Sequence, residues 1–172
     1  MLKKLSVKEW TSVRPIPARL LKSAIDSLRP QLAGSRVLEL FAGTGRFGIR
    51  ALEEGAREAI FVEKHRRTAD ALAAALKNYP SSRVIAEDAF HFLTASPSPF
   101  DIVFADPPFP AWSPNFEERL FQQVHPVLAE GAIFLVKHPS RMVPSPRTFT
   151  VWKSTTVGDS QLTFYRYGDH EK

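Results

Sequence analysis

The chain has no cysteine among its 172 residues. Disulfides, thiolate metal sites and cysteine nucleophiles are thereby excluded, and the composition fits a cytoplasmic protein. Long apolar runs are missing too. No stretch approaches the roughly 20 residues that a membrane-spanning helix needs, so no membrane partner is expected. The basic start Met1-Leu2-Lys3-Lys4 has no apolar segment after it, so no signal peptide is expected. His65, His91, His125, His138 and His170 fall at no metal-ligand spacing, and a metal site is not expected. Ser-His-Asp and Walker-type patterns are also missing. There is no internal repeat. The length suits one domain with a single core, for which a monomer is the default.

What is present is basic. The net charge is +5, which points to a polyanionic partner. Lys3, Lys4, Lys8, Arg14, Arg19, Lys22 and Arg29 load the first thirty residues against only Glu9 and Asp26. A second group, Lys137, His138, Arg141 and Arg147, lies late in the chain. The competing reading of both is a solvated face. Proline is the one compositional bias, at 14 residues.

Residues 1–17 read as a basic, irregular N-terminal segment. A helix is expected from Ala18 to Leu28, where Leu20, Leu21, Ala24, Ile25 and Leu28 share a face and Arg29-Pro30 stops it. Strands are expected at Arg36–Phe41, Ala59–Glu63, Arg83–Ala86, Phe100–Ala105 and Ala132–Lys137. Helices are expected between them at Arg46–Glu54, Arg66–Leu76, Ala89–Leu93 and Phe116–Leu128. That alternation predicts an α/β fold with a mostly parallel sheet and helices on both faces. The tail differs: Thr148–Lys153 and Leu162–Tyr167, joined by a Gly158-Asp159 turn, predict an antiparallel C-terminal hairpin and a seven-stranded sheet. Ligands in such sheets bind at the carboxyl ends of the strands, near the point where strand order reverses.

Those ends carry acids. Gly43-Thr44-Gly45-Arg46-Phe47-Gly48 is a G-x-G-x-x-G loop after a strand, and Glu63 stands where a dinucleotide site places its ribose acid. A nicotinamide enzyme is therefore one reading. Against it, Glu39 precedes the loop, where a carboxylate would repel a pyrophosphate but suit a cationic cofactor such as S-adenosylmethionine. On that reading the glycines let the backbone pass close to adenosine. Glu63 would take the ribose hydroxyls, Asp88 and the Ala89 N–H the adenine edge, and Glu39 the methionine ammonium. Each acid also has a plainer reading, Asp88 as the cap of the helix at Ala89. The fourth acid opens Asp106-Pro107-Pro108-Phe109. A carboxylate and a backbone carbonyl can accept both hydrogens of a planar exocyclic amine while a flat ring stacks on its base. Proline supplies a fixed φ and no competing N–H. The plainer reading is a proline-rich turn. Trp10 and Trp112 could each stack on a base, with core or edge packing as the competing role.

Asp106-Pro107-Pro108-Phe109 at a strand end resembles the catalytic motif of amino-directed methyltransferases. With Val37–Gly45, Gly48, Ala51-Leu52, Gly55-Ala56, Phe61–Lys64, Asp88-Ala89, Phe92-Leu93, Phe100-Asp101, Gly158-Asp159 and Phe164-Tyr165, the chain resembles the RsmD-like small-subunit rRNA guanine-N2 methyltransferases. The resemblance covers about residues 14–167. It implies a Rossmann-like class I methyltransferase domain over 18–172, with S-adenosylmethionine as cofactor and rRNA or the small ribosomal subunit as substrate. It implies Asp106, Pro107, Pro108 and Phe109 as catalytic residues. Glu39, Phe41, Gly43, Gly45, Glu63, Lys64, Asp88, Ala89 and Asp106 would bind the cofactor, and Arg14, Arg19, Phe109 and Trp112 the substrate. Two departures stand out. The family's glycine- and basic-rich opening segment is short or missing, and its Arg-Pro-Thr-x-Asp-Arg pattern reads Arg14-Pro15-Ile16-Pro17-Ala18-Arg19. Other amino-group methyltransferases, acting on DNA adenine N6 or a protein glutamine amide, share the chemistry. A nicotinamide-binding oxidoreductase and a non-catalytic RNA-binding module are the readings from other classes.

Overall fold

Apolar runs bounded by turn residues become the strands of one sheet in the computed structural model, which describes residues 15–95 and 99–167. The elements run α1 (Ala18–Leu32), β1 (Arg36–Leu40), α2 (Arg46–Glu53), β2 (Glu58–Val62), α3 (Arg66–Ala75), β3 (Ser82–Ile85), α4 (Ala89–Ala95) and β4 (Phe100–Ala105). They continue with α5 (Pro114–Val124), β5 (Leu128–Pro139), β6 (Thr150–Val157) and β7 (Ser160–Arg166). Short 3-10 turns occupy Phe109–Ala111 and His125–Val127. The strand order is β3-β2-β1-β4-β5-β7-β6. β1 to β5 are parallel, and β7 runs antiparallel to both β5 and β6. The expected seven-stranded, mostly parallel sheet with its C-terminal hairpin is the observed one.

Strand alternation divides the core into two layers. Val37, Phe61, Phe104 and Leu135 pack with residues of α1, α2 and α3 on one face. Leu38, Val62, Val103 and Val136 pack with residues of α4 and α5 on the other. Sheet order reverses direction between β1 and β4, which opens a crevice at their carboxyl ends.

Several boundaries differ from the sequence reading for local reasons. α1 runs on to Leu32 with Pro30 inside it. A proline in the last turn removes a single helical hydrogen bond, and Leu28 and Leu32 are both wholly buried on the same face. Ser35 then donates its N–H and its hydroxyl to the Leu32 carbonyl. α5 starts earlier, because Ser113 caps it by accepting the Phe116 N–H at 3.1 Å with Pro114 in the first turn. It ends at Val124, where the chain tightens into the 3-10 turn His125–Val127 that carries Pro126. β5 extends past Lys137 because its antiparallel partner continues the ladder, pairing Lys137 with Leu162 and His138 with Gln161. The hairpin strands sit at Thr150–Val157 and Ser160–Arg166. Their two-residue turn is Gly158-Asp159, with Gly158 at φ +60°.

The late basic group is not a surface patch. Lys137 is buried and paired with Asp106, and His138 is wholly buried between the Pro139 carbonyl and the Thr163 hydroxyl. Burial holds the His138 imidazole below its ordinary pKa. Arg141 and Arg147 alone of that group are exposed.

Candidate active site

Register brings the chemistry-bearing residues to one level. Leu40 pairs with Val62 on one side and with Ala105 on the other, and Ala105 pairs with Val136. One step further along these strands stand Glu63, Asp106 and Lys137. Side chains alternate along a strand, so Glu63, Asp106 and Lys137 continue the face of Phe61, Phe104 and Leu135, and Glu39 shares it from within β1. The result is a cavity of about 920 Å³ at the carboxyl ends of β1 to β5, lined by Glu39, Phe41, Gly43, Glu63, Asp88 and Asp106 among others.

Each acid has a defined task. Glu39 is 3 % exposed, and its Oε2 accepts the Gly48 N–H at 2.7 Å, anchoring the first turn of α2. Burial pushes its carboxyl up to about 8, against the pull of the Gly48 N–H, and the neighbouring Asp106 carboxylate adds to the rise. Glu63 accepts the Gly43 N–H at 3.1 Å through Oε1 and the His65 N–H at 2.8 Å through Oε2. It therefore ties the glycine loop to the end of β2. Asp88 lines the cavity and also caps α4, its Oδ1 accepting the Phe90 and His91 N–H groups. The capping reading of Asp88 is the observed one, and the side chain also stands on the cavity wall. Ala89 opens α4 on the cavity wall, and Lys64 lies on the wall with its side chain exposed to solvent.

The glycines of the loop divide between the cavity and the core. Gly43 lines the cavity at φ +55°. Gly45 and Gly48 face the core: an added Cβ would meet the Leu72 side chain at 2.7 Å from Gly45 and the Phe61 ring at 2.4 Å from Gly48. Their small size lets α2 pack on β2 and α3, and Gly45 is not itself on the cavity wall. Phe41, at the head of the loop, adopts φ +55°. A left-handed backbone is rare and strained for a bulky residue. The ring packs on Phe90 and Phe116, which hold it in place.

Asp106 is bracketed by charge. Its Oδ1 accepts from the Lys137 ammonium at 3.0 Å, and its Oδ2 has no hydrogen-bond partner among the described residues. Burial pushes its carboxyl above the ordinary carboxylate range, and Lys137 works against that rise. The same ammonium lies 4.8 Å from the centre of the Phe109 ring, within cation–π range. Pro107 is buried, Pro108 is exposed, and the half-buried Phe109 lies on the cavity wall.

Not every candidate gathers here. Trp112 is 8 % exposed and packs edge-on against Phe116 and His138, away from the cavity wall. The packing role, not stacking on a base, is the one this position presents. Arg19 is exposed on α1 and does not line the cavity. Arg14, Trp10 and Lys3, Lys4 and Lys8 lie outside the described residues. From the end of the N-terminal segment, Pro15, Ile16 and Pro17 line the cavity, and Ile16 is buried in the core. Sequence reasoning missed Lys137 as a site residue. The signal was present in principle: in parallel strands that pair Ala105 with Val136, the next residues are neighbours.

Comparison with known proteins gives the family and relatives of the fold. The family model described as conserved hypothetical protein 95 matches residues 2–166. Ribosomal RNA small subunit methyltransferase D of Escherichia coli is 32 % identical over 109 residues, 62 % of this chain and 55 % of that protein. The match thus spans little more than half the relative's length. The protein of the same name from Buchnera aphidicola is 24 % identical over 166 residues, 95 % of this chain and 87 % of its own. Among solved structures, the yhhF protein of Escherichia coli superposes with a TM-score of 0.82 at 25 % identity, covering 91 % of this chain and 88 % of its own. The magnesium protoporphyrin IX methyltransferase of Synechocystis, solved with bound S-adenosylmethionine, shares the fold at a TM-score of 0.69 and 11 % identity. That alignment covers 87 % of this chain and 79 % of its own.

Proposed function

The chain belongs to the family described as conserved hypothetical protein 95, the RsmD-like methyltransferases, and from that premise we propose that it methylates an exocyclic base amine, guanine N2 of small-subunit rRNA, with S-adenosylmethionine as donor. The observation that carries the reading is Asp106 at the end of β4. One of its oxygens is held by Lys137 and the other has no described partner, on the wall of a cavity that also carries Glu39, Glu63 and the glycine loop.

The residues of the cavity fit that cofactor better than a dinucleotide. A dinucleotide would need backbone N–H groups of the glycine loop and the helix start for its pyrophosphate. Here Glu63 holds the Gly43 N–H and Glu39 holds the Gly48 N–H. The Glu63 carboxylate at Gly43 opposes a phosphate and favours a cation, and Glu39 already occupies the Gly48 N–H that a phosphate would need. Glu39, Glu63 and Asp88 would hold S-adenosylmethionine, with the Ala89 N–H beside them. The fold shared with the S-adenosylmethionine-bound Synechocystis enzyme supports the same reading, and the names of the Escherichia coli and Buchnera relatives support rRNA as substrate.

When bound, S-adenosylmethionine supplies a methyl carbon whose bond to a sulfonium sulfur breaks, with its electron pair, as the new N–C bond forms. The protein's part is alignment. Asp106 Oδ2 and the Pro107 carbonyl accept the hydrogens of the amine and turn its lone pair toward the donor, and orientation of this kind supplies much of an enzyme's acceleration. Asp106 then receives the proton that the amine loses. Phe109 stacks on the base, which must leave its helix to reach the cavity. The test is incubation with radiolabelled S-adenosylmethionine and unmodified small ribosomal subunits, followed by nucleoside analysis. Label in N2-methylguanosine, lost with Asp106→Ala, is the expected result. Label in another nucleoside would reassign the substrate, and no transfer to any RNA would overturn the reading.

A further inference from the structure

We propose that Lys137 is a positioning residue of the transfer site: it occupies one oxygen of Asp106, leaves the other to accept from the substrate amine, and holds the Phe109 ring beside it. The inference rests on the methyltransferase reading above.

Lysine is almost never buried without a partner, yet the Lys137 side chain is only 8 % exposed and that of Asp106 only 15 %. β5 carries the lysine to Asp106 because the Ala105–Val136 register makes the next residues neighbours on one face. The ammonium has three donors. One reaches Asp106 Oδ1 at 3.0 Å, and the charge also lies over the Phe109 ring at 4.8 Å. A single cation therefore fixes the two side chains that must grip opposite aspects of one base, its amine edge and its flat face.

Removing that cation would change the state of Asp106. Glu39 faces it from β1, Arg46 on α2 and Asp159 in the β6–β7 turn share the cavity wall, and Glu63 and Lys64 lie beyond Glu39 after β2. Lys137 alone among the described residues pairs with it. Without Lys137, Asp106 would be a desolvated carboxyl with no cation paired to it, and burial favours its protonated form. A protonated Asp106 cannot take the amine's proton, and its hydroxyl would compete for the amine lone pair. Arginine at 137 would restore the charge; methionine would keep the length and remove it.

The experiment reads Asp106 directly. In the full chain labelled with carboxyl-13C aspartate, the Asp106 signal is assigned by its loss in Asp106→Asn and followed by NMR titration. Lys137→Met should raise its midpoint by one pH unit or more, and Lys137→Arg should return it toward the wild-type value. With radiolabelled S-adenosylmethionine and small ribosomal subunits, Lys137→Met should lose kcat in proportion to the fall in ionised Asp106, up to about tenfold per unit of raised midpoint at pH values below that midpoint. That deficit should shrink as the pH rises toward 9, while cofactor affinity measured by calorimetry changes little. An unchanged midpoint, or a deficit equal at every pH, would overturn the proposal. Should Lys137→Met fail to fold, Lys137→Gln takes its place in the titration: a raised midpoint supports the proposal and an unchanged one overturns it. If wild-type protein transfers no methyl group, the methyltransferase reading fails, while the titration still decides whether Lys137 governs Asp106.

Discussion

Glu39 Oε2 accepts the Gly48 N–H at 2.7 Å, and a Cβ added to Gly48 would sit 2.9 Å from that same oxygen and 2.4 Å from the Phe61 ring. The buried acid and the missing side chain are one arrangement, since α2 can approach the sheet closely enough to be anchored by Glu39 only where no Cβ intervenes.

Gly48→Ala should therefore destabilise the protein. Alanine gains about 1 kcal/mol over glycine in a helix, but overpacking a tight site costs about 1–3 kcal/mol, and the added Cβ would press on the wholly buried Phe61 ring. A lower urea midpoint with an unchanged slope is the expected result. A midpoint at or above wild type would show that α2 shifts at no cost.

Glu39→Gln should flatten the dependence of stability on pH. The Glu39 carboxyl sits near 8 in the fold against an ordinary 4.5, so the folded protein keeps a proton that the unfolded chain releases. Its stabilising share is complete below pH 4.5 and is lost as pH rises toward 8, by up to about 1.4 kcal/mol per unit. Asp106, also raised, acts in the same direction, so some slope should survive. Urea unfolding of cofactor-free protein at pH 5.5 and 7.5 checks this, and an unaltered slope in the variant would acquit Glu39 as its source.

Removing the Glu63 carboxylate with Glu63→Ala frees the Gly43 and His65 N–H groups together. A hydrogen bond to a charged group is worth about 1.5–3 kcal/mol. The glycine loop should loosen, and affinity for S-adenosylmethionine should fall about tenfold or more by calorimetry. Retention of wild-type affinity would remove Glu63 from the cofactor site.

Phe109→Ala should separate the two ligands. Base–aromatic stacking is worth roughly 1–3 kcal/mol, so affinity for RNA should drop by about one order of magnitude while affinity for S-adenosylmethionine stays near wild type. Parallel binding titrations with both ligands provide the check. Equal losses for both would mean that the ring supports the cavity rather than the base.

Much of this was legible in the chain. The glycine loop, the acids at the strand ends and Asp106-Pro107-Pro108-Phe109 are local signals, and the fold places Glu39, Glu63, Asp88 and Asp106 around one cavity. The start of α5 could also have been read, from Ser113 followed by Pro114. Lys137 and Trp112 could not be placed in the same way. Lys137 read as part of a basic surface group and Trp112 as either a base-stacking or a packing residue, and each is buried by contacts that the local sequence does not specify: Lys137 against β4, Trp112 against Phe116 and His138.

The sequence by itself determined the order of strands and helices, the hairpin at the end and the positions of the acids, because periodicity and turn chemistry act over a few residues. Only the tertiary structure decided what each charge faces. Glu39 became a buried anchor for α2, Gly45 and Gly48 became packing contacts for Phe61 and Leu72, and Lys137 became the partner of Asp106. Burial and ion pairing depend on which strands lie side by side and in what register, and that pairing joins residues about thirty positions apart.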